Sequence, residues 1–149
     1  MDEDLTELYR DVILDHNKNP RNFGKPESPD REQEGYNPLC GDRMTIYLNL
    51  DGETLRDVYF QGTGCAISKA SASVMTETLT GKSKTEARKI FEQFHAMVTD
   101  GNEVDIMEVG EVAALSGVNQ FPLRVKCATL AWHALLAAMD GRGNTVTTE

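Results

Sequence analysis

The most reactive side chains in this sequence are three cysteines, each placed where the backbone is set to change direction. Cys40 lies in Asn37-Pro38-Leu39-Cys40-Gly41-Asp42, Cys65 in Gly62-Thr63-Gly64-Cys65-Ala66-Ile67-Ser68, and Cys127 in Lys126-Cys127-Ala128-Thr129. Two glycines turn the chain ahead of Cys65 and a helix pattern follows. Its thiol therefore meets unpaired N–H groups and the positive end of a helix dipole, which favour thiolate. Thiolate is the form that binds metal and attacks sulfur. Cys40 sits in a Pro/Gly loop with a carboxylate, Asp42, two residues on, where no core stripe asks for sulfur. Cys127 is in register with an apolar helical stripe, so burial as a small hydrophobe and a ligand role both stand for it.

Three thiolates and Asp42 together would make a four-coordinate site for zinc, which takes sulfur, nitrogen and oxygen donors in a tetrahedron. Structural zinc is commonly held by four cysteines or by cysteines with histidine. A carboxylate is a harder and less tenacious donor, so this set suggests ligands that exchange. The competing reading of Asp42 is a local Asx-turn in Cys-Gly-Asp-Arg. An odd cysteine count and the absence of a CxxC pair argue against a disulfide framework and a zinc ribbon.

Other chemistries fit poorly. His16 falls near the end of the first predicted helix, where a structural or surface role competes with ligation, and His95 and His133 fall inside later helices. None follows a nucleophile signature, and Gly62-Thr63-Gly64 lacks the third glycine of a dinucleotide fingerprint. A formal charge of −9 argues against a nucleic-acid polyanion as partner and fits a protein that docks on other proteins. The chain opens on Met1-Asp2-Glu3-Asp4 and holds no apolar run approaching a membrane span, so a cytoplasmic protein with no membrane and no nucleic-acid partner is expected.

The elements that must position the sulfurs follow from periodicity. Leu5, Leu8, Tyr9, Val12 and Ile13 form an amphipathic stripe, with Asp4 as N-cap and a stop near residues 17–19, before Pro20. Four of the five prolines fall in the next stretch, which predicts an extended loop with at most a short strand at 33–36. Met44, Ile46, Leu48 and Leu50 alternate with polar residues, Asp51-Gly52 signals a two-residue hairpin, and a return strand runs over about 53–61. That hairpin brings Cys40 and Cys65 to one end of a sheet. The small residues after Cys65 predict close helix packing, and Gly81 marks the helix end. Ser83 and Glu86 form a capping box for a helix with Ala87, Ile90, Phe91, Phe94 and Val98 inward. A short helical pattern through Val112, Ala113 and Leu115 follows. Phe121-Pro122 then precedes a last helix carrying Cys127, Leu130, Ala131, Ala134, Leu135 and Ala138. One domain over 1–140 and a disordered tail over 141–149 are expected.

These residues resemble the IscU/NifU-N family of iron–sulfur cluster assembly scaffolds, and within it the SufU branch. Leu8-Tyr9-Arg10, Asn19-Pro20-Arg21-Asn22 and the three cysteine motifs carry the likeness from the first helix to the last. Lys126 stands where the IscU type has histidine. The insertion around 101–120 is typical of SufU-like proteins, and Phe121-Pro122-Leu123-Arg124 does not match the chaperone-docking Leu-Pro-Pro-Val-Lys motif. The resemblance implies an α+β fold, SufE/NifU-like, with a small antiparallel sheet (a hairpin plus an edge strand) covered by several helices. It implies one zinc per chain on Cys40, Asp42, Cys65 and Cys127, with iron or a [2Fe–2S] cluster as the alternative. It further implies a zinc-dependent sulfurtransferase in which Cys40 accepts sulfur from a SufS-like, PLP-dependent cysteine desulfurase and relays it to the SUF scaffold complex or another acceptor. Arg124 would assist at the docking face. The alternative function is a scaffold on which a [2Fe–2S] cluster is built.

Overall fold

The structure, a computed structural model, describes residues 3–141 and 145–148. Met44, Ile46 and Leu48 on the strand β2 (Asp42–Asp51) and Leu55, Val58 and Phe60 on β3 (Thr54–Thr63) are buried, as their alternation requires. The two strands pair antiparallel, with Asp51 opposite Thr54, so the loop residues are Gly52 and Glu53 rather than Asp51 and Gly52. Gly52, at φ 60, supplies the left-handed conformation of the turn. A register shift at Asn49/Leu50 places a bulge in β3, and β3 continues to Thr63, beyond the expected end near 61.

A third strand, β1 (Arg31–Asn37), pairs antiparallel with β2 from Arg31–Leu48 to Asn37–Asp42. It is longer than the 33–36 expected. Its inward residues are Gln33, Gly35 and Asn37, so it offers no apolar alternation to read. Gly35 lets the last helix approach: a Cβ there would stand 3.1 Å from Leu130 Cδ1 and 3.3 Å from Ala134 Cβ. The sheet order is β3-β2-β1-β4, where β4 (Val146–Thr147) runs parallel to β1. The sheet is therefore mixed rather than purely antiparallel. The expected disordered tail instead contains a short strand at 146–147; residues 142–144 and 149 lie outside the described residues. On the other edge, residues 22–24 bond to Phe60, with Gly24 N–H donating to Phe60 O at 2.8 Å and Phe60 N–H to Asn22 O at 3.1 Å.

Helices cover the sheet. α1 (Glu3–Lys18) already includes Asp4 in its first turn, so Asp4 is not its cap. Among its described side chains Tyr9, Val12 and Ile13 are half-buried, Leu8 and Leu14 are exposed, and His16 is fully buried. α2 (Ala66–Leu79) is the central helix, and its small residues serve packing as expected. Ser71 Oγ donates to Ala128 O at 2.6 Å and accepts from Trp132 Nε1 at 3.0 Å. Ser73 Oγ accepts from the Arg21 N–H at 2.8 Å and meets His16 Nδ1 at 2.7 Å. Gly81 follows α2 at φ 87.

The capping box of Ser83 and Glu86 opens α3 (Lys84–Asp100), which ends on left-handed Gly101. Its Phe94 stacks on Trp132 at 4.4 Å between ring centroids. A single turn, α4 (Ile106–Val109), leads into a 3-10 segment, Gly110–Gln120, that buries Val112, Ala113, Leu115 and Val118. α5 (Pro122–Asp140) has Pro122 in its first turn, where a missing N–H costs nothing, and buries the whole expected stripe from Cys127 to Ala138. Among the described residues, no helix is long and apolar enough to cross a membrane.

Candidate metal centre

Asp42 is the residue on which the site converges. It opens β2, is fully buried, and both its carboxylate oxygens are engaged. Oδ1 accepts the backbone N–H of Cys65 at 2.8 Å, and Oδ2 accepts Asn37 Nδ2 at 3.2 Å. One bond spans 23 residues and the other crosses the hairpin, so neither is the local Asx-turn read as an alternative for Asp42. Asn37 forms that kind of turn instead, its Oδ1 accepting from the Leu39 N–H at 3.3 Å. Asn37 Nδ2 also points to Cys127 Sγ at 3.6 Å.

Asn37 and Asp42 face each other across β1 and β2, and residues 38–41 close the hairpin between them. Cys40 rides in that loop and is exposed. Gly41, at φ 73 with open space around it, gives its N–H to Asn37 O at 2.9 Å. Cys65 is the N-cap residue of α2 and is partly exposed; its side chain makes no cap bond. Gly64 before it is required by Asp42: a Cβ there would stand 2.8 Å from Asp42 Oδ1 and 2.4 Å from Ser68 Oγ. Gly62, at φ 147, passes over β2 so closely that a Cβ would meet Arg43 O at 2.1 Å.

The fold brings Cys40, Asp42 and Cys127 together, with one ligand atom from each lying within 4.8 Å of the others. Cys65 stands outside that tightest group, although its thiol still faces Cys127. Burial pushes the Cys127 thiol well above its ordinary 9.0, and hydrogen bonds from it to Asp42, Cys40 and Cys65 act in the same direction. The exposed Arg124, one turn earlier on α5, is held more firmly charged by a hydrogen bond to Cys127 and by its proximity to Cys65. A cation there favours thiolate, against the larger effect of burial. Left to itself Cys127 keeps its proton at neutral pH; a bound cation would displace it.

The donor set fits zinc. Sulfur and carboxylate ligands at bond lengths of about 2.0–2.3 Å give tetrahedral edges of roughly 3.4–3.8 Å. The 4.8 Å within which the three atoms lie is at most about 1.4 Å wider than those edges, and the exposed Cys40 is the donor free to turn. Asn37 is the functional residue that the spacing of thiols and carboxylates did not single out. Its only sequence signal is an amide directly before Pro38, the mark of an Asx-turn. Beside the site, Tyr9, Ile13, Ile67, Val118 and Phe121 line an apolar groove with Arg124 at its rim.

A buried carboxylate with two cysteines gathered at it and a third nearby, on an α+β frame, is a candidate metal-binding domain, and sequence comparison gives its family. The chain belongs to the family described as NifU-like N terminal domain, which matches residues 8–140. It is 44% identical over 131 residues to the zinc-dependent sulfurtransferase SufU of Bacillus subtilis, covering 88% of each chain. It is 40% identical over 140 residues to the iron–sulfur cluster assembly scaffold protein IscU of Streptococcus pyogenes, covering 94% of this chain and 87% of that one. Among solved structures, an iron–sulfur cluster assembly scaffold protein for the SUF system from Fervidobacterium islandicum superposes with a TM-score of 0.81 at 39% identity. That match covers 86% of this chain and 93% of that one.

Proposed function

We propose that this protein is a zinc-dependent sulfurtransferase of iron–sulfur cluster assembly. In this reading Cys40 takes the terminal sulfur of a cysteine desulfurase persulfide and passes it on to a SUF-type scaffold or another acceptor. The observation that carries the reading is the unequal placement of the donors. Asp42 and Cys127 are fully buried and tied to neighbours, whereas Cys40 is exposed in a hairpin loop. Cys40, Asp42, Cys65 and Cys127 would hold zinc, which would supply a positive charge that keeps the thiols deprotonated.

The chain's own residues do the rest. The Cys40 thiolate attacks the outer sulfur of the partner's persulfide. A sulfur–sulfur bond forms at Cys40, the bond to the desulfurase cysteine breaks, and that cysteine leaves as thiolate. The electron count closes without an external oxidant. Asp42, fixed by Asn37 and the Cys65 N–H, stays in place while Cys40 moves. Arg124 and the exposed Leu39, Phe121 and Leu123 flank the site, and with the adjacent groove they suit a protein surface as partner. The pyridoxal phosphate belongs to that partner.

The test is intact mass and peptide mapping after incubation with a desulfurase and cysteine without reductant. An added 32 Da (one sulfur, ~32 Da) on Cys40, lost in Cys40→Ser molecules that retain zinc, is expected. The 40% identity to a scaffold-named relative supports one rival reading, assembly of a [2Fe–2S] cluster. Brown protein containing iron and sulfide, with added sulfur on Cys127 instead of Cys40, would decide for that rival.

A further inference from the structure

We propose that His16, Glu77 and Glu111 form a second divalent-cation site, separate from the cysteines. It lies about 18 Å along α2 from Cys65, from the 1.5 Å rise per residue. His16 is fully buried, and its Nδ1 is paired with Ser73 Oγ at 2.7 Å. Its Nε2 is also buried and makes no hydrogen bond, although Glu111 Oε2 stands 3.4 Å away. Glu77 supplies a third donor, and ligand atoms from the three residues all lie within 4.8 Å of one another.

The imidazole explains why a cation belongs here. With Nδ1–H donating to Ser73, Nε2 presents a lone pair to a carboxylate, which is repulsive. With the opposite tautomer, or the imidazolium, the Nε2–H faces Glu111 at a distance beyond a normal hydrogen bond. Both arrangements leave a buried nitrogen unsatisfied, which costs free energy. A distance of 3.4 Å is, however, the edge of a tetrahedron around an ion with bonds of about 2.1 Å to nitrogen and oxygen. Ser73 occupies the outer position from which metal-bound histidines are commonly oriented.

The charges point the same way. The two glutamates are about half exposed, at 46% and 48%, which leaves an entry path and room for water ligands. Arg21 is the cation nearby, with Nε 3.7 Å from Glu77 Oε2, but its closer partner is Asp15 at 2.6 Å. One imidazole and two carboxylates suit zinc, manganese or cobalt rather than a thiophilic ion. The ligands come from α1, α2 and the 3-10 segment, so the ion would tie the first helix to both of the elements it packs against.

The experiment titrates the full chain, its cysteine site saturated with zinc, with cobalt(II). The expected result is one further equivalent with weak ligand-field absorption and no thiolate charge-transfer band, accompanied by slower amide exchange along α1. In Glu77→Gln/Glu111→Gln, which leaves the buried His16 and the cysteines untouched, that event is lost and stoichiometry falls from two metals to one. A single equivalent in the wild type would show that His16 and Glu111 are an ion pair only and would overturn the proposal. A second event that survives the double substitution, or one that carries a thiolate band, overturns it equally.

Discussion

Asn37→Ala separates holding the ligands from holding the hairpin. The side chain does two jobs: Nδ2 serves the buried Asp42 and Cys127, and Oδ1 takes the Leu39 N–H in the exposed loop. Truncation leaves the Asp42 oxygen without a donor in a buried place, at a cost of about 1–3 kcal/mol. The Leu39 N–H can turn to water, so its loss adds little. Denaturant unfolding of the metal-free variant should thus show a loss of about 1–3 kcal/mol with an unchanged m-value. Removal of an outer-shell partner typically weakens metal binding by about 10–100-fold, and competition against a chromophoric chelator should find zinc affinity reduced in that range. If stability falls as stated while zinc affinity holds, Asn37 supports Asp42 only in the metal-free fold, and the reasoning that it orients Asp42 as a ligand is refuted.

Gly64→Ala should fold but bind zinc more weakly, because the new methyl must displace the Asp42 oxygen 2.8 Å away; unchanged affinity in the same chelator competition would contradict this. Arg124→Ala should retain zinc while stimulating a desulfurase less, and loss of zinc with intact stimulation per loaded molecule would make Arg124 structural. Zinc removal should lower the melting temperature, since the unfolded chain has no preformed site. Burial raises the Cys127 thiol above 9.0 only in the folded, metal-free chain. Its contribution to stability is complete below pH 9 and is lost as pH rises above it. The metal-free protein should therefore lose more melting temperature above pH 9 than Cys127→Ala does, and parallel curves would count against a buried, protonated Cys127.

What could be read from sequence was what local chemistry dictates. The alternation of Met44, Ile46 and Leu48, the Ser83/Glu86 capping box and the small face of α2 act over a few residues, and each appears as expected. Asp42 and Cys127 meet because the hairpin and α5 converge; the hairpin could be read locally, whereas the apolar stripe of α5 equally suited a core cysteine and only the family resemblance implied that Cys127 joins the site. The features that escaped depend on partners far away in the chain. β1 turns Gln33, Gly35 and Asn37 inward, Gly35 leaving room for α5, so no apolar alternation reveals its full length. The hairpin turn is displaced by one residue because pairing extends to Asp51–Thr54. His16 looks like an ordinary helix-end histidine until Ser73 and Glu111 are seen around it. Likewise, Cys65 promises a ligand at a helix mouth, yet its nearest fixed tie is through its backbone N–H to Asp42.

The covered edges of the sheet have a consequence for solution behaviour. Residues 22–24 occupy the outer side of β3, and Val146–Thr147 lie along β1, where the Thr148 N–H reaches Tyr36 O at 3.2 Å. An open strand edge is a template for pairing with another molecule. A chain cut after residue 140 would uncover main-chain groups of Gly35 and Tyr36, close to the Cys40 loop. Its self-association would proceed by strand addition and would persist in a chelator, whereas aggregates bridged through cysteine and metal would dissolve.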